Sequence, residues 1–244
     1  MKANEIRKDI IRMIKDMGEG HPGGSLSCVE ILISLYDEVL TDDDIFIMSK
    51  GHACQALYTV LQAKGKNPKL SGHPDIEQNQ GIYCTTGSLG HGLPVAVGTA
   101  LAKKLKGEPG RVYVLMSDGE LQEGTTWESI MIAFHHKLDN LFMIIDYNKI
   151  QALDRVRNIL TLGGRNSIIR KLESFGLLVV PLDGHDSDYI SDVLLNYTYP
   201  EDLPVVILAE TIKGKGVSFM ENDPKWHARV LDKHEYQRAM AELS

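Results

Sequence analysis

Two oxygen-bearing side chains stand where a cation could use them. Asp118 follows the apolar run Val112-Tyr113-Val114-Leu115-Met116, and Asn148 follows Leu141-Phe142-Met143-Ile144-Ile145. If both runs are strands of one open α/β sheet, both residues emerge at strand carboxyl ends, where such sheets take their ligands. Their side-chain oxygens, with a nearby backbone carbonyl, make a hard-oxygen half-site. Magnesium or calcium favours such ligands, and magnesium usually completes its shell with phosphate oxygens. Gly119 has no Cβ, so a phosphate could approach its backbone N–H closely. Taken singly, an Asp-Gly or an Asn after a strand is most often only a turn. The pair, thirty positions apart with Glu120 and Glu123 between, raises the ligand reading above the turn reading.

Histidine supplies the second set. His21, His52 and His73 each adjoin a glycine in what reads as a loop, a setting that displays a side chain instead of packing it. Imidazole titrates near neutrality and suits proton transfer. His135, His136, His185 and His234 have no such setting and are expected to be surface or structural residues. Cys28, Cys54 and Cys84 are far apart and form no CxxC pair, so they read as reduced, packed thiols.

The elements that must position these groups follow from periodicity. Ile6, Ile10, Met13, Ile14 and Met17 recur at helical spacing and stop at Gly18. Gly20-His21-Pro22-Gly23-Gly24-Ser25 reads as a rigid loop, with Ser25 or Ser27 capping a helix that carries Val29, Ile31, Leu32, Leu35 and Tyr36. Ile45–Met48 is a short buried strand, and a glycine-histidine turn leads into a helix near Ala53–Lys64. Arg111–Met116, Leu141–Asp146, Leu177–Leu182 and Val205–Ala209 are continuous apolar runs, the pattern of parallel strands covered on both faces. Helical stretches at Glu123–His136 and Ile168–Phe175 alternate with them, and Lys233–Leu243 reads as a final helix. Alternation of this kind predicts an open α/β sheet. With no repeat, linker or low-complexity tract, the chain is expected to be a single domain over residues 1–244.

Composition is that of an ordinary globular protein, 43% hydrophobic and 24% charged. A formal charge of −7 argues against a nucleic-acid coat or a basic membrane surface. No apolar stretch approaches the length that spans a bilayer, and the charged N-terminus does not read as a signal peptide, so a cytoplasmic location is expected.

Ser117-Asp118-Gly119 through Asp146-Tyr147-Asn148 resembles the thiamine-diphosphate fingerprint, Gly-Asp-Gly closed by an asparagine. The wider run Ser117–Glu128 and His135–Leu141 is similar to the transketolase family. So are Gly20–Ser25, Ser49-Lys50-Gly51-His52-Ala53, Gly72-His73-Pro74, Thr85–Gly92, Lys213–Glu221 and Trp226-His227, in family order from about residue 5 to 243. The resemblance implies a thiamine-diphosphate-binding α/β fold, a mostly parallel sheet with helices on both faces. It implies a metal, Mg2+ with Ca2+ or Mn2+ as substitutes, held by the side chains of Asp118 and Asn148 and the carbonyl of Ile150. Gly119, His52 and His227 would contact the diphosphate, with Gly87 and Leu89 along the cofactor. His21 and His73 would face the substrate, with His52 and His227 close to the reacting centre.

The implied reaction passes a two-carbon ketol unit from a ketose, or its phosphate, to an aldose. Transketolase-type chains carry a second α/β domain that binds the aminopyrimidine, and nothing before Ser244 supplies it. The chain is therefore similar to the N-terminal subunit of a split transketolase. The expected partner is a C-terminal subunit with the pyrimidine-binding domain, in a dimer of heterodimers, with Glu123 facing across that interface. Some positions depart from the family. Ser117 replaces a glycine, His91 a glutamine and Ala228 a glycine, with Arg229 after it. Gln151–Arg155 lacks the usual Asp-Gly turn, and segments before Phe46 and between Lys66 and Gly72 are short. These point to a specialised sugar substrate. Two other readings are half of a 1-deoxyxylulose-phosphate synthase-like or 2-oxo-acid decarboxylating enzyme, and a catalytically silent scaffold. Glu120–Gly124 and Lys213–Glu221 favour transketolase over the first. Retention of Asp118, Asn148 and the histidines opposes the second.

Overall fold

The structure is a computed structural model describing residues 1–244. Helix α1 (Ala3–Met17) buries Ile6, Ile10, Met13 and Ile14, and Gly18 ends it in the left-handed conformation at φ 70°. The expected loop at Gly20–Ser25 is instead a short helix, α2 (Pro22–Ser27), followed at once by α3 (Val29–Ser34). Pro22 starts α2 because its missing N–H falls where a helix has no partner for one. Ser25 and Ser27 lie inside α2 and cap nothing; Ser27 Oγ donates to Asp146 instead. A wider turn, Leu35–Val39, follows α3 and leads to β1 (Ile45–Met48).

After β1 the chain makes a single tight turn, Gly51–Ala53, then α4 (Cys54–Ala63) and α5 (Gly92–Lys106). Strand β2 (Val112–Ser117) leads through a tight turn at Asp118–Gln122 into α6 (Gly124–His135) and β3 (Leu141–Tyr147). Then come α7 (Val156–Ile159), α8 (Arg165–Ser174), β4 (Leu178–Asp183), α9 (Ser187–Asn196), β5 (Val205–Glu210) and α10 (Lys233–Glu242). Asp232 caps α10, with Glu235 reaching back to complete the box.

The five strands form one parallel sheet in the order β1-β2-β3-β5-β4. Along the central strands alternate residues enter two separate cores. Tyr113, Leu115, Phe142, Ile144, Val205 and Ile207 pack on one face with α1, α3 and α4, whereas Val112, Val114, Met143, Ile145, Val206 and Leu208 pack on the other with α5 and α6. Helices on both faces explain why these strands are apolar throughout. Strand β4 departs from the expected two-sided burial. It is an edge strand, and Leu178, Val179, Val180 and Pro181 are only partly buried. Helices α5 and α9 went unread in the sequence.

The register aligns Ser117 with Asp146 and Asp146 with Ala209. The residues after β1, β2, β3 and β5 therefore reach one end of the sheet together. His185 joins this end structurally, as expected: Nδ1 lies 3.0 Å from Glu30 and Nε2 accepts the Ile212 N–H at 2.9 Å. His135, His136 and His234 are exposed. No helix is long and apolar enough to cross a membrane.

Candidate active site

The carboxyl ends of β1, β2, β3 and β5 surround a cavity of about 230 Å3. His21, His52, His73, His227, Gly87, Leu89, Asp118, Gly119, Asn148 and Ile150 all line it. These residues come from well-separated sequence blocks, and the parallel register gathers them. Glu123 stands apart: it is exposed and borders Gly90, outside the cavity.

Four imidazoles cluster around His21. Its ring centre lies 5.7 Å from that of His52, 5.4 Å from His73 and 5.4 Å from His227, and His52 and His227 are 5.0 Å apart. The expectation that glycine neighbours display each ring holds for His73, which is exposed, and fails for His52, which is buried. The glycines serve another end there. A Cβ on Gly51 would sit 2.7 Å from the backbone of Thr86, and one on Gly24 would sit 3.0 Å from the His52 ring. Small residues let the His52 turn press against the Thr86–Gly87 backbone and against α2.

Burial sets the charge state of these rings. It pushes His21 down to about 4, helped by His73 and Lys213. It pushes His227 down to about 3, helped by Lys213, and His52 well below its ordinary value, helped by Lys50. All three are neutral at pH 7. Lys213 Nζ lies 3.1 Å from His227 Nδ1 and 3.0 Å from the Ile150 carbonyl oxygen. An ammonium only donates, so Nδ1 accepts and the His227 proton resides on Nε2. Burial, and next the Lys50 cation, lowers Lys213 to about 8.

The oxygen-bearing side chains are buried at the same cavity. Asp118 is 1% exposed, and its Oδ1 is buried with no hydrogen-bond partner, while Oδ2 accepts the Lys149 N–H. Burial, and next the Asp146 carboxylate, raises this carboxyl to about 7. Asn148 Oδ1 accepts the Ile150 N–H at 3.1 Å. No cluster of three His, Cys, Asp or Glu side chains forms a metal site. The set is instead one carboxylate, one amide oxygen and one carbonyl, the donors a hard cation prefers. Nothing in the protein approaches a Cβ on Gly119 closer than 3.6 Å, so packing does not demand glycine there and its backbone faces the cavity.

Lys213, Ser117 and Gln151 also line the cavity and received no role from the sequence. Lys213 carried a usable signal. It follows the apolar strand β5 just as Asp118 and Asn148 follow β2 and β3, and it is 1% exposed. Beneath the cavity, Asp146 is completely buried and accepts from Lys50, Thr211, Ser27 at 2.6 Å and Asn148 Nδ2 at 3.1 Å. Glu120, also buried, accepts from Ser49, from the Gly90 N–H at 3.0 Å and from the Ser117 N–H at 2.8 Å, tying β1 and the Gly90 loop to β2.

Residues 1–243 match the family model described as transketolase, thiamine diphosphate binding domain. The chain belongs to the transketolase family. Among its transketolase relatives, one subunit of the apulose-4-phosphate transketolase of Actinobacillus succinogenes is 40% identical, over 99% of this chain and 94% of the relative. Subunit SqwG of the 6-deoxy-6-sulfo-D-fructose transketolase of Clostridium sp. is 37% identical, over 99% and 94%. Human transketolase is 31% identical over 99% of this chain, which spans 41% of the human protein. Of solved structures, transketolase from Leishmania mexicana superposes with a TM-score of 0.87 at 25% identity, over 99% of this chain and 40% of that one.

Proposed function

We propose that this chain is the subunit of a split transketolase that binds the metal and the diphosphate of thiamine diphosphate. The observation that carries the reading is the orphaned Oδ1 of Asp118 in the same cavity as Asn148 and Ile150, ringed by four imidazoles. Asp118 and Asn148, with the Ile150 carbonyl, would hold Mg2+, and Ca2+ or Mn2+ could substitute. Gly119, Lys213, His52 and His227 would meet the diphosphate, with Gly87 and Leu89 along the cofactor body. When bound, thiamine diphosphate supplies the electron sink for breaking and making the carbon–carbon bond of ketol transfer.

The chain's own residues handle protons and orientation. His227 presents an Nε2–H fixed by Lys213, which suits donation to a developing oxyanion. His21 lines the cavity as a neutral imidazole, which suits a hydrogen bond to a sugar hydroxyl. His73 faces the open side of the cavity, where a sugar enters. The partner would be a second polypeptide carrying the pyrimidine-binding domain, in a dimer of heterodimers, and exposed Glu123 would lie against it.

A specialised sugar is the favoured substrate. The relatives that are themselves separate subunits, named for apulose 4-phosphate and 6-deoxy-6-sulfo-D-fructose, are nearer in identity than human transketolase. Calorimetry with Mg2+ and thiamine diphosphate, followed by turnover on a sugar panel, tests these points. Turnover is expected only with the pyrimidine-binding partner present. Comparable turnover by this chain alone would refute the split site. Best use of xylulose 5-phosphate with ribose 5-phosphate would refute the specialised substrate.

A further inference from the structure

Asp146 is a buried carboxylate beneath the cavity that accepts from four different side chains, and ligand binding as described above gives it no part. It is wholly inaccessible and sits one strand position before Tyr147, two before Asn148. Its counterion Lys50 is also wholly inaccessible. Four side chains from four segments donate to it: Lys50 after β1, Ser27 on α2, Thr211 after β5 and Asn148 after β3.

One of those four contacts decides the chemistry of Asn148. An amide side chain is nearly symmetric in shape but offers a donor on one side and an acceptor on the other. A metal can use only the oxygen. Asp146 Oδ2 already accepts from the buried Lys50 ammonium and from Ser27, so it faces Asn148 as an acceptor and Asn148 must turn its Nδ2 toward it, at 3.1 Å. The Ile150 N–H, at 3.1 Å, fixes the same choice from the other side, because it can only donate to Oδ1. A rotation by half a turn would set Oδ1 against a carboxylate and Nδ2 against an N–H, two repulsive contacts at once.

We infer that Asp146 is the positioning residue that orients the Asn148 amide, so that its oxygen and not its nitrogen is offered to the metal. The inference rests on the metal site proposed above. Lys50 has a double part: it keeps Asp146 ionised, and through Gly24 O at 2.9 Å it braces α2, which carries the Ser27 contact. Partners behind a metal ligand that fix its orientation typically contribute about 10–100-fold in metal affinity.

The test compares the wild type with Asp146→Asn, each mixed with the pyrimidine-binding partner, with Mn2+ and thiamine diphosphate as probes. In Asp146→Asn the new amide can donate to Asn148 Oδ1, which removes one of the two contacts that exclude the rotated amide and leaves only the Ile150 N–H against it. Mn2+ affinity, read by electron paramagnetic resonance, is expected to fall about 10–100-fold. Asp146→Asn leaves Lys50 buried without its counterion and can unfold. Lys50→Met/Asp146→Asn removes both charges, the change that buried ion pairs tolerate. That double variant is expected to melt close to the wild type without ligands and to lose the upward shift that Mn2+ with thiamine diphosphate gives. A loss of general packing would lower the ligand-free melting point instead. Wild-type affinity in a folded variant overturns the positioning role alone. No Mn2+ binding by the wild type overturns the metal site and this inference with it.

Discussion

Replacing Asp118 by asparagine should stabilise the ligand-free chain above neutral pH while abolishing metal binding. Burial, and next the Asp146 carboxylate, lift the Asp118 carboxyl from 3.8 to about 7. A carboxyl raised in the folded state binds more protons folded than unfolded between those two values. Its contribution to stability is therefore fully present below the lower value and is lost as pH rises through the upper one. At about 1.4 kcal/mol per unit, the complete shift amounts to roughly 4 kcal/mol, of which about 2–3 kcal/mol is lost between about pH 5 and pH 8. Asparagine carries no charge to desolvate and keeps an acceptor for the Lys149 N–H. It leaves one amide group without a partner, a cost of about 1–3 kcal/mol that does not vary with pH. Urea unfolding of both proteins without metal, at about pH 5 and pH 8, isolates the effect. The difference between variant and wild type should move by about 2–3 kcal/mol in the variant's favour across that range. Magnesium with thiamine diphosphate should then raise the wild type and leave the variant unchanged. A stability difference that stays flat with pH refutes the account of Asp118 as a buried carboxylate lacking its cation.

Lys213→Met preserves much of the side chain's bulk and removes the charge that touches Ile150 O and His227 Nδ1. Thiamine diphosphate should bind about tenfold weaker or worse by calorimetry, since charge-assisted contacts to phosphate are the strong ones. The His227 imidazole, followed by NMR, should titrate above its present value of about 3, and still below 6.5 because burial is the larger cause. Gly51→Ala would place a methyl 2.7 Å from the Thr86 backbone and 2.8 Å from the Gly87 nitrogen, where no flexible side chain can yield. A loss of about 1–3 kcal/mol in urea unfolding is expected, with weaker cofactor binding because His52 is the next residue.

The sheet was legible because its strands are sandwiched: a run such as Val112–Met116 must be apolar at every position when both faces are covered. The same rule misled at β4, where an apolar run sits on an edge and stays half-exposed. Gly20–Ser25 looked like a loop because Pro and Gly are poor helix formers. Proline at a helix start and tight approach to Lys213 and His52 override that propensity. That Asp118 and Asn148 would reach one end of the sheet was legible from their placement after strands, and His21, His52 and His73 stood out beside glycines, whereas His227 was reached only through the family resemblance. Lys50, Asp146 and Thr211 were not legible, since their significance is a mutual contact made 65 to 96 residues apart in sequence.

The cavity's two charged groups that face the proposed ligands are both displaced toward neutrality, one upward and one downward. Burial raises the acid Asp118 to about 7 and lowers the base Lys213 to about 8. The remedies are opposite in sign. A cation at Asp118 restores its carboxylate, and an anion at Lys213 restores its ammonium. Either ligand alone answers one group and worsens the field at the other, because Lys213 donates to the same Ile150 carbonyl that the metal would use. A magnesium diphosphate would answer both at once, with Lys213 free to turn from the Ile150 carbonyl to the anion. Metal and thiamine diphosphate should therefore bind cooperatively, each raising the other's affinity by the same factor, as linkage requires. The cooperativity should weaken in Lys213→Met, leaving the part that comes from direct contact between metal and phosphate. That variant still has the oxygen ligands, and it no longer holds the cation that competes for Ile150.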